Sequence, residues 1–247
     1  VLGPLVHSPL KPGPQDTSGV RAFLLDIEGT TTPVSFVYDV LFPYARRALP
    51  GFLADHERDE EVAGALAALR DEHRADAGAP AWEEGGLDGA LGYLRWLMDA
   101  DRKSTALKAL QGLVWRDGYG KGQLQGIVYP DVPPALARWR AQGRRTFIYS
   151  SGSVLAQRLL FSTTPDGDLT AFIDGYFDTT TGPKKEPDSY RRIAAAIGLD
   201  RSALFFVSDS VDEVRAALAA GLRAALCARE GLASGAPGPL ILTFDVL

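Results

Sequence analysis

Residues 21–33 run Arg21-Ala22-Phe23-Leu24-Leu25-Asp26-Ile27-Glu28-Gly29-Thr30-Thr31-Thr32-Pro33. The apolar run 22–25 predicts a short, fully buried strand. It stops at Asp26, and Gly29 and Pro33 mark the loop that follows. Two carboxylates one residue apart, Asp26 and Glu28, thus stand where a buried strand opens into a loop. In open α/β sheets ligands bind just outside the carboxyl ends of the strands. The stretch fits either an acidic pair delivered to a site or a plain strand-to-turn junction, and the rest of the chain has to decide.

Downstream of residue 127 the same pattern recurs. The apolar runs at 146–149, 204–207 and 224–227 predict strands, with weaker ones at 172–177 and 240–242. Helical segments are expected between them at 132–142, 154–161, 189–197 and 211–220, three of them followed by Gly143, Gly198 or Gly221 at C-cap positions. Strands alternating with helices predict an α/β fold, a Rossmann-like parallel sheet with helices on both faces.

Between residues 35 and 126 no strand is apparent. Phe36, Val37, Val40, Leu41, Tyr44, Ala45 and Ala48 recur at helical spacing, predicting one amphipathic helix kinked at Pro43. Residues 59–75 are rich in Ala, Leu, Glu and Arg, and further helices are expected at 87–100 and from Ser104. The organisation expected is a flexible tail over 1–19, an α/β core from 20–34 and 127–247, and an all-α cap over 35–126 inserted after the first strand.

Composition narrows the function classes. The 247 residues are 46% hydrophobic and 23% charged, with net charge −5 and no Lys/Arg block, which argues against a nucleic-acid partner. No apolar stretch is long enough to span a membrane. No secretory signal is evident, and the single cysteine, Cys227, fits a reducing setting. The chain is expected to be a cytoplasmic monomer acting on a small molecule.

Polar clusters follow three of the strands: Asp26 and Glu28, then Ser150 and Ser151, then Ser208 and Asp209. Lys184 and Lys185 lie in a loop ahead of a helix. Parallel strands bring such clusters to one edge. Carboxylates from two strands suit Mg²⁺. A serine hydroxyl with helix-start N–H groups suits a phosphate oxygen, and a lysine supplies a point charge to it. Taken singly, each has a plainer account: Ser150-Ser151 and Asp209 as helix caps, the lysines as solvated charges, Asp212 and Glu213 as first-turn acids. Their order in one chain favours phosphoryl transfer through an activated Asp.

That order resembles the four motifs of the haloacid-dehalogenase-like phosphohydrolases. Within them, LLDIEGTTTPVSFVYDVLFPYA, DRKSTALKALQGLVW, FIYSSGSVLAQRLLF and GYFDTTTGPKKEPDSYRRIA resemble the enolase-phosphatases of methionine salvage. The DIEGTTTP string is the specific part, since most of the superfamily carries Asp where Glu28 stands. The resemblance implies a bifunctional enzyme. It would enolise 2,3-diketo-5-methylthiopentyl-1-phosphate, then hydrolyse the ester to the acireductone. It implies Asp26 as nucleophile and Mg²⁺ ligand, and Glu28 as metal ligand and acid/base group. Asp209 would be a further metal ligand, Ser150 and Ser151 would hold substrate, and Lys184 would bind phosphate with Lys185 as competitor. The helical cap would exclude water and select substrate. Two stretches depart from the family: Ser210-Val211-Asp212-Glu213, and the Gly/Pro-rich run from Arg229. The alternatives are a phosphatase for phosphoglycolate or a sugar phosphate, and a non-catalytic α/β binding protein.

Overall fold

The structure is a computed structural model and describes residues 13–229 and 235–247. Residues 1–12 of the expected tail, and 230–234, lie outside the described residues. The chain forms two compact units. One comprises the described residues up to Pro33, Val128–Ser151 and Leu169–Leu247; the other comprises Val34–Ile127 and Gly152–Asp168.

The first unit is built on six strands: β1 (Ala22–Leu25), β2 (Arg145–Tyr149), β3 (Gly175–Phe177), β4 (Leu204–Ser208), β5 (Arg223–Cys227) and β6 (Leu240–Ile241). Every pairing is parallel, in the order β3-β2-β1-β4-β5-β6. The chain lays strands to one side of β1 and then returns to lay the rest on the other. The reversal falls between β1 and β4, where an open α/β sheet forms its crevice. Leu25 is in register with Ile148 and with Val207. The polar residues that follow these strands therefore emerge at one edge.

Both faces of β1 are covered, which accounts for its unbroken apolar run. Alternate side chains point to opposite faces. Phe23 stacks on Trp139 with ring centroids 3.9 Å apart, and Phe244 packs on the far side of that indole. Trp139 belongs to α5 (Val132–Ala141). Leu24 instead joins a core with Tyr190 and Ile193 of α7 (Pro187–Ile197) and Val214 and Ala217 of α8 (Val211–Ala219). Residues 13–19, expected as loose tail, are tied to this unit. The Gln15 N–H donates to the Val246 carbonyl, Arg144 donates to Thr17, and Arg223 donates to the Ser18 carbonyl.

The second unit is all-α: α1 (Phe42–His56), α2 (Glu60–Ala75), α3 (Asp88–Asp99), α4 (Thr105–Gly120) and α6 (Val154–Ser162). The Ser104 hydroxyl accepts from the Leu107 N–H and so caps α4, as the sequence suggested. The single kinked helix expected around Pro43 differs in detail. Phe36–Leu41 is π-helical and leads without a break into α1, with Pro43 as its second residue. The helix change, rather than a bend, absorbs the proline. Helix α6, expected with the sheet, groups with this unit. Gly126 permits the close packing: a Cβ there would strike the Leu160 carbonyl, and its N–H donates to Thr163. No helix among the described residues is long and apolar enough to cross a membrane.

Candidate active site

Asp26 is the first residue beyond β1 and is 3% exposed. Its N–H continues the ladder by donating to the Val207 carbonyl, 3.0 Å away. Its Oδ1 accepts from the Ile27 N–H at 2.8 Å and from Lys184 Nζ at 2.5 Å. Its Oδ2 accepts from the Ser208 hydroxyl at 2.9 Å. The carboxylate is therefore fixed from three directions, by its own loop, by the sheet's next strand and by the loop before α7.

The turn after Asp26 is knotted on one carbonyl. The N–H groups of Thr30, Thr31 and Thr32 all point to the Ile27 oxygen, at 3.1, 2.9 and 2.9 Å. The Thr31 hydroxyl donates back to the Asp26 carbonyl at 3.0 Å. Gly29 has φ +68, and a Cβ there would overlap the Asp209 carboxylate. Glycine is needed at this position both for its backbone and for the closeness of Asp209.

Lys184 is held by its backbone as much as by its charge. Tyr149 donates to the Gly182 carbonyl, Ser189 to that of Pro183 and Tyr190 to that of Lys184 itself, at 2.8, 2.7 and 2.7 Å. The ammonium, 5% exposed, also lies 2.8 Å from Glu213 Oε2. Burial disfavours its charge, but the Asp26 and Glu213 carboxylates outweigh that and raise its pKa. Lys185, its neighbour, points outward to Asp212 at 3.0 Å with its side chain 68% exposed. Of the two lysines, only Lys184 reaches Asp26.

Asp209 follows β4, and its N–H donates to the Thr30 hydroxyl at 3.0 Å. Partial burial, then the charges of Asp26 and Glu213, push its carboxyl up from 3.8 to about 6. Glu28, partly buried, is raised by that burial and then by Asp26. Ser150 is buried at the end of β2, where its N–H donates to the Phe177 carbonyl at 3.2 Å. Ser151 beside it is exposed. The structure thus gathers Asp26, Lys184 and Asp209 about one point, with Glu28 beside them. Ser150 and Ser151 lie at the same sheet edge, one strand over.

Glu213 was read from the sequence as an ordinary first-turn acid, and the structure differs. Asp212 faces solvent and pairs with Lys185 and Arg215. Glu213, one residue on, turns inward to Lys184 and to the Ser208 hydroxyl at 3.0 Å. Burial, followed by the Asp26 charge, raises its pKa. The available signal was its place at the third residue of α8, where Ser210-Val211-Asp212-Glu213 has the spacing of a capping box and Glu213 sits in the turn nearest the sheet edge.

Four carboxylates surround one ammonium, and the pKa values of Glu28, Asp209 and Glu213 are all raised. An anionic substrate would meet net repulsion there unless a cation joined it. Among the described residues no three His, Cys or acidic side chains enclose a metal by themselves. Two carboxylates and a carbonyl suffice for a hard cation that keeps water or substrate oxygens as its remaining ligands. Asp26 and Asp209, with a backbone carbonyl of the intervening turn, would supply donors of this kind.

A haloacid dehalogenase-like hydrolase family profile matches residues 20–221. The chain is 51% identical over 213 residues to the enolase-phosphatase E1 of Pseudomonas aeruginosa, covering 86% of this chain and 91% of that one. It is 48% identical over 217 residues to the enolase-phosphatase E1 of Synechococcus elongatus, covering 87% and 91%. Among solved structures, the UTR4 protein of Saccharomyces cerevisiae superposes with a TM-score of 0.77 at 34% identity, over 92% of this chain and all of that one. A phosphatase of Thermococcus onnurineus, at 22% identity and a TM-score of 0.56, shares the fold. The chain belongs to the haloacid dehalogenase-like hydrolases and, within them, to the enolase-phosphatase E1 family.

Proposed function

We propose that the protein is an enolase-phosphatase that converts 2,3-diketo-5-methylthiopentyl-1-phosphate to the acireductone 1,2-dihydroxy-3-keto-5-methylthiopentene and phosphate, with Mg²⁺ as cofactor. The observation that carries this reading is the Asp26 carboxylate, clamped between Lys184 and Ser208 at the end of β1 in a member of this family. Mg²⁺ would be held by Asp26, Asp209 and the Glu28 carbonyl. When bound, it neutralises phosphate charge and favours in-line displacement.

Asp26 attacks phosphorus with one Oδ. The phosphorus–ester oxygen bond breaks, and an aspartyl-phosphate forms on Asp26. Lys184, kept protonated by Asp26 and Glu213, neutralises the phosphate oxygens as Asp26 gives up its negative charge. Ser150 and Ser151 donate hydroxyls to the phosphate. Glu28 takes the proton from the carbon bearing the ester oxygen during enolisation, and as the acid returns a proton to the leaving oxygen. Its raised pKa suits a group that holds a proton between steps. Water then attacks phosphorus, the bond from Asp26 Oδ to phosphorus breaks and inorganic phosphate leaves; Glu28 takes the water's proton and passes it to the enolate oxygen left by the enolisation step, so that Asp26 and Glu28 both return to their ionised forms. The inserted helical unit is assigned the exclusion of water and the choice of substrate.

The test is incubation with the diketone phosphate and Mg²⁺, following enol absorbance and phosphate together. The expected result is absorbance rising ahead of phosphate. Hydrolysis of phosphoglycolate or a sugar phosphate with no turnover of the diketone would replace this reading with a general phosphatase. No hydrolysis of any ester would leave a non-catalytic binding protein.

A further inference from the structure

Arg229 stands just beyond β5, at the start of a Gly/Pro-rich run. Its side chain is nevertheless 5% exposed. The guanidinium is layered between the Tyr129 and Phe244 rings, 4.3 and 4.6 Å from their centroids. Its Nη1 reaches both oxygens of Asp131, at 2.8 and 2.7 Å, and the Leu242 carbonyl at 3.3 Å. Its other edge, Nε and Nη2, donates twice to the Thr30 carbonyl, at 2.9 and 2.7 Å.

Thr30 lies in the turn that carries Glu28 and Gly29, and its hydroxyl accepts from the Asp209 N–H. The next carbonyl, that of Thr31, is held by the Tyr129 N–H at 2.9 Å. A planar, always-charged fork can grip a carbonyl on one edge and a carboxylate on the other; an ammonium cannot do both. Asp26 and Lys184 have their own supports in β1, Ser208 and the 182–190 loop. The Thr30–Asp209 side of the site depends on this clamp.

We propose that Arg229 is a positioning residue: through the Thr30 carbonyl it fixes the turn on which Asp209 is aligned, and so sets the affinity of the site for its divalent cation. The inference rests on the metal-site reading above. It predicts a selective defect. Cation affinity falls, while the lysine that neutralises phosphate stays in place. Thr30 is one step removed from Asp209 and Arg229 two; partners one step removed from a metal ligand typically change affinity or activity by about 10–100-fold, so Arg229 is expected at the lower end of that range.

The experiment titrates Mg²⁺ into the full chain by calorimetry, alongside ester hydrolysis and thermal melting. The proteins compared are wild type, Arg229→Lys, Thr30→Val and Ile193→Val, a core control in α7. In Arg229→Lys and Thr30→Val the Mg²⁺ dissociation constant is expected to rise about 10–100-fold. Turnover at limiting Mg²⁺ falls, KM for the ester is nearly unchanged, and saturating Mg²⁺ restores most of the rate. Ile193→Val lowers the melting temperature without moving Mg²⁺ affinity. Wild-type Mg²⁺ affinity in folded Arg229→Lys, or in Thr30→Val should the first not fold, overturns the clamp alone. A wild type that takes up no Mg²⁺ overturns the metal site and the clamp with it.

Discussion

Lys184 Nζ stands 2.5 Å from Asp26 Oδ1, both side chains almost wholly buried, although 158 residues separate them in the chain. A buried pair of this kind adds little net stability, because desolvation offsets the attraction, but losing one partner strands the other. Lys184→Met leaves Asp26 and Glu213 buried without their cation. It is expected to destabilise the fold by about 3–5 kcal/mol and to lower phosphate release by about 10²–10³-fold. Lys185→Met, which removes only an exposed pair with Asp212, should stay within about 0.5 kcal/mol and keep full activity. Melting curves and phosphate release on both variants decide it, and equal effects would deny Lys184 its special role.

Asp26→Asn keeps the side chain's shape and its hydrogen bond from the Ile27 N–H but removes the proposed nucleophile. Phosphate release should fall by at least about 10⁴-fold, as for other removed nucleophiles. Enolisation uses a different group and should persist in part, so enol absorbance should accumulate without phosphate. Unchanged phosphate release would end the assignment of Asp26.

The metal-free protein should carry a pH signature of its crowded carboxylates. Asp209 is raised from 3.8 to about 6 by partial burial and the charges of Asp26 and Glu213. A folded value above the unfolded one means that the folded chain holds the extra proton between these two pH values. That stabilising contribution is complete below about pH 4 and is lost as pH rises through about 6. Glu28 and Glu213, also raised, act in the same direction. Bound Mg²⁺ requires the ionised carboxylate. Its stabilising effect on the melting temperature should therefore be larger at about pH 8 than at about pH 5. An equal effect at both would remove Asp209 from the metal site.

The four inner strands, β1, β2, β4 and β5, were legible because they are buried almost throughout, whereas the half-buried edge strands β3 and β6 gave only weak runs. Runs such as 22–25 and 204–207 therefore lack the alternation that would confuse a strand with a surface element, and β1 packs Phe23 and Leu24 on opposite sides. The polar residues at the ends of those runs, Asp26, Ser150, Ser208 and Asp209, could be found for the same reason. Lys184 could not be told from Lys185, since adjacent residues in a loop have no periodicity to choose between them. Only the three hydroxyls of Tyr149, Ser189 and Tyr190 on the loop carbonyls decide which one turns inward. Arg229 was invisible because the partners that define its role, Asp131 and Thr30, lie 98 and 199 residues away, beyond any local pattern. The π-helical turn at Phe36–Leu41 is too short for its period to stand apart from that of an α-helix.

Gly29 offers the sharpest separation of fold from site. Its φ of +68 is a conformation in which a Cβ costs about 1–2 kcal/mol, so Gly29→Ala alone should lower stability by about that much. The added methyl would also occupy space now taken by the Asp209 carboxylate. Asp209 is anchored through its N–H to Thr30, so its side chain rather than its backbone must give way. On the proposed metal site, the displaced carboxylate can no longer face Asp26 across a shared cation. Mg²⁺ affinity should then fall by about 10–100-fold, more than the stability loss alone would produce, while the Lys184–Asp26 pair is untouched. Calorimetric Mg²⁺ titration set beside a melting curve separates the two effects. A variant that loses stability yet binds Mg²⁺ like the wild type would show that Asp209 does not need its present position to hold the metal.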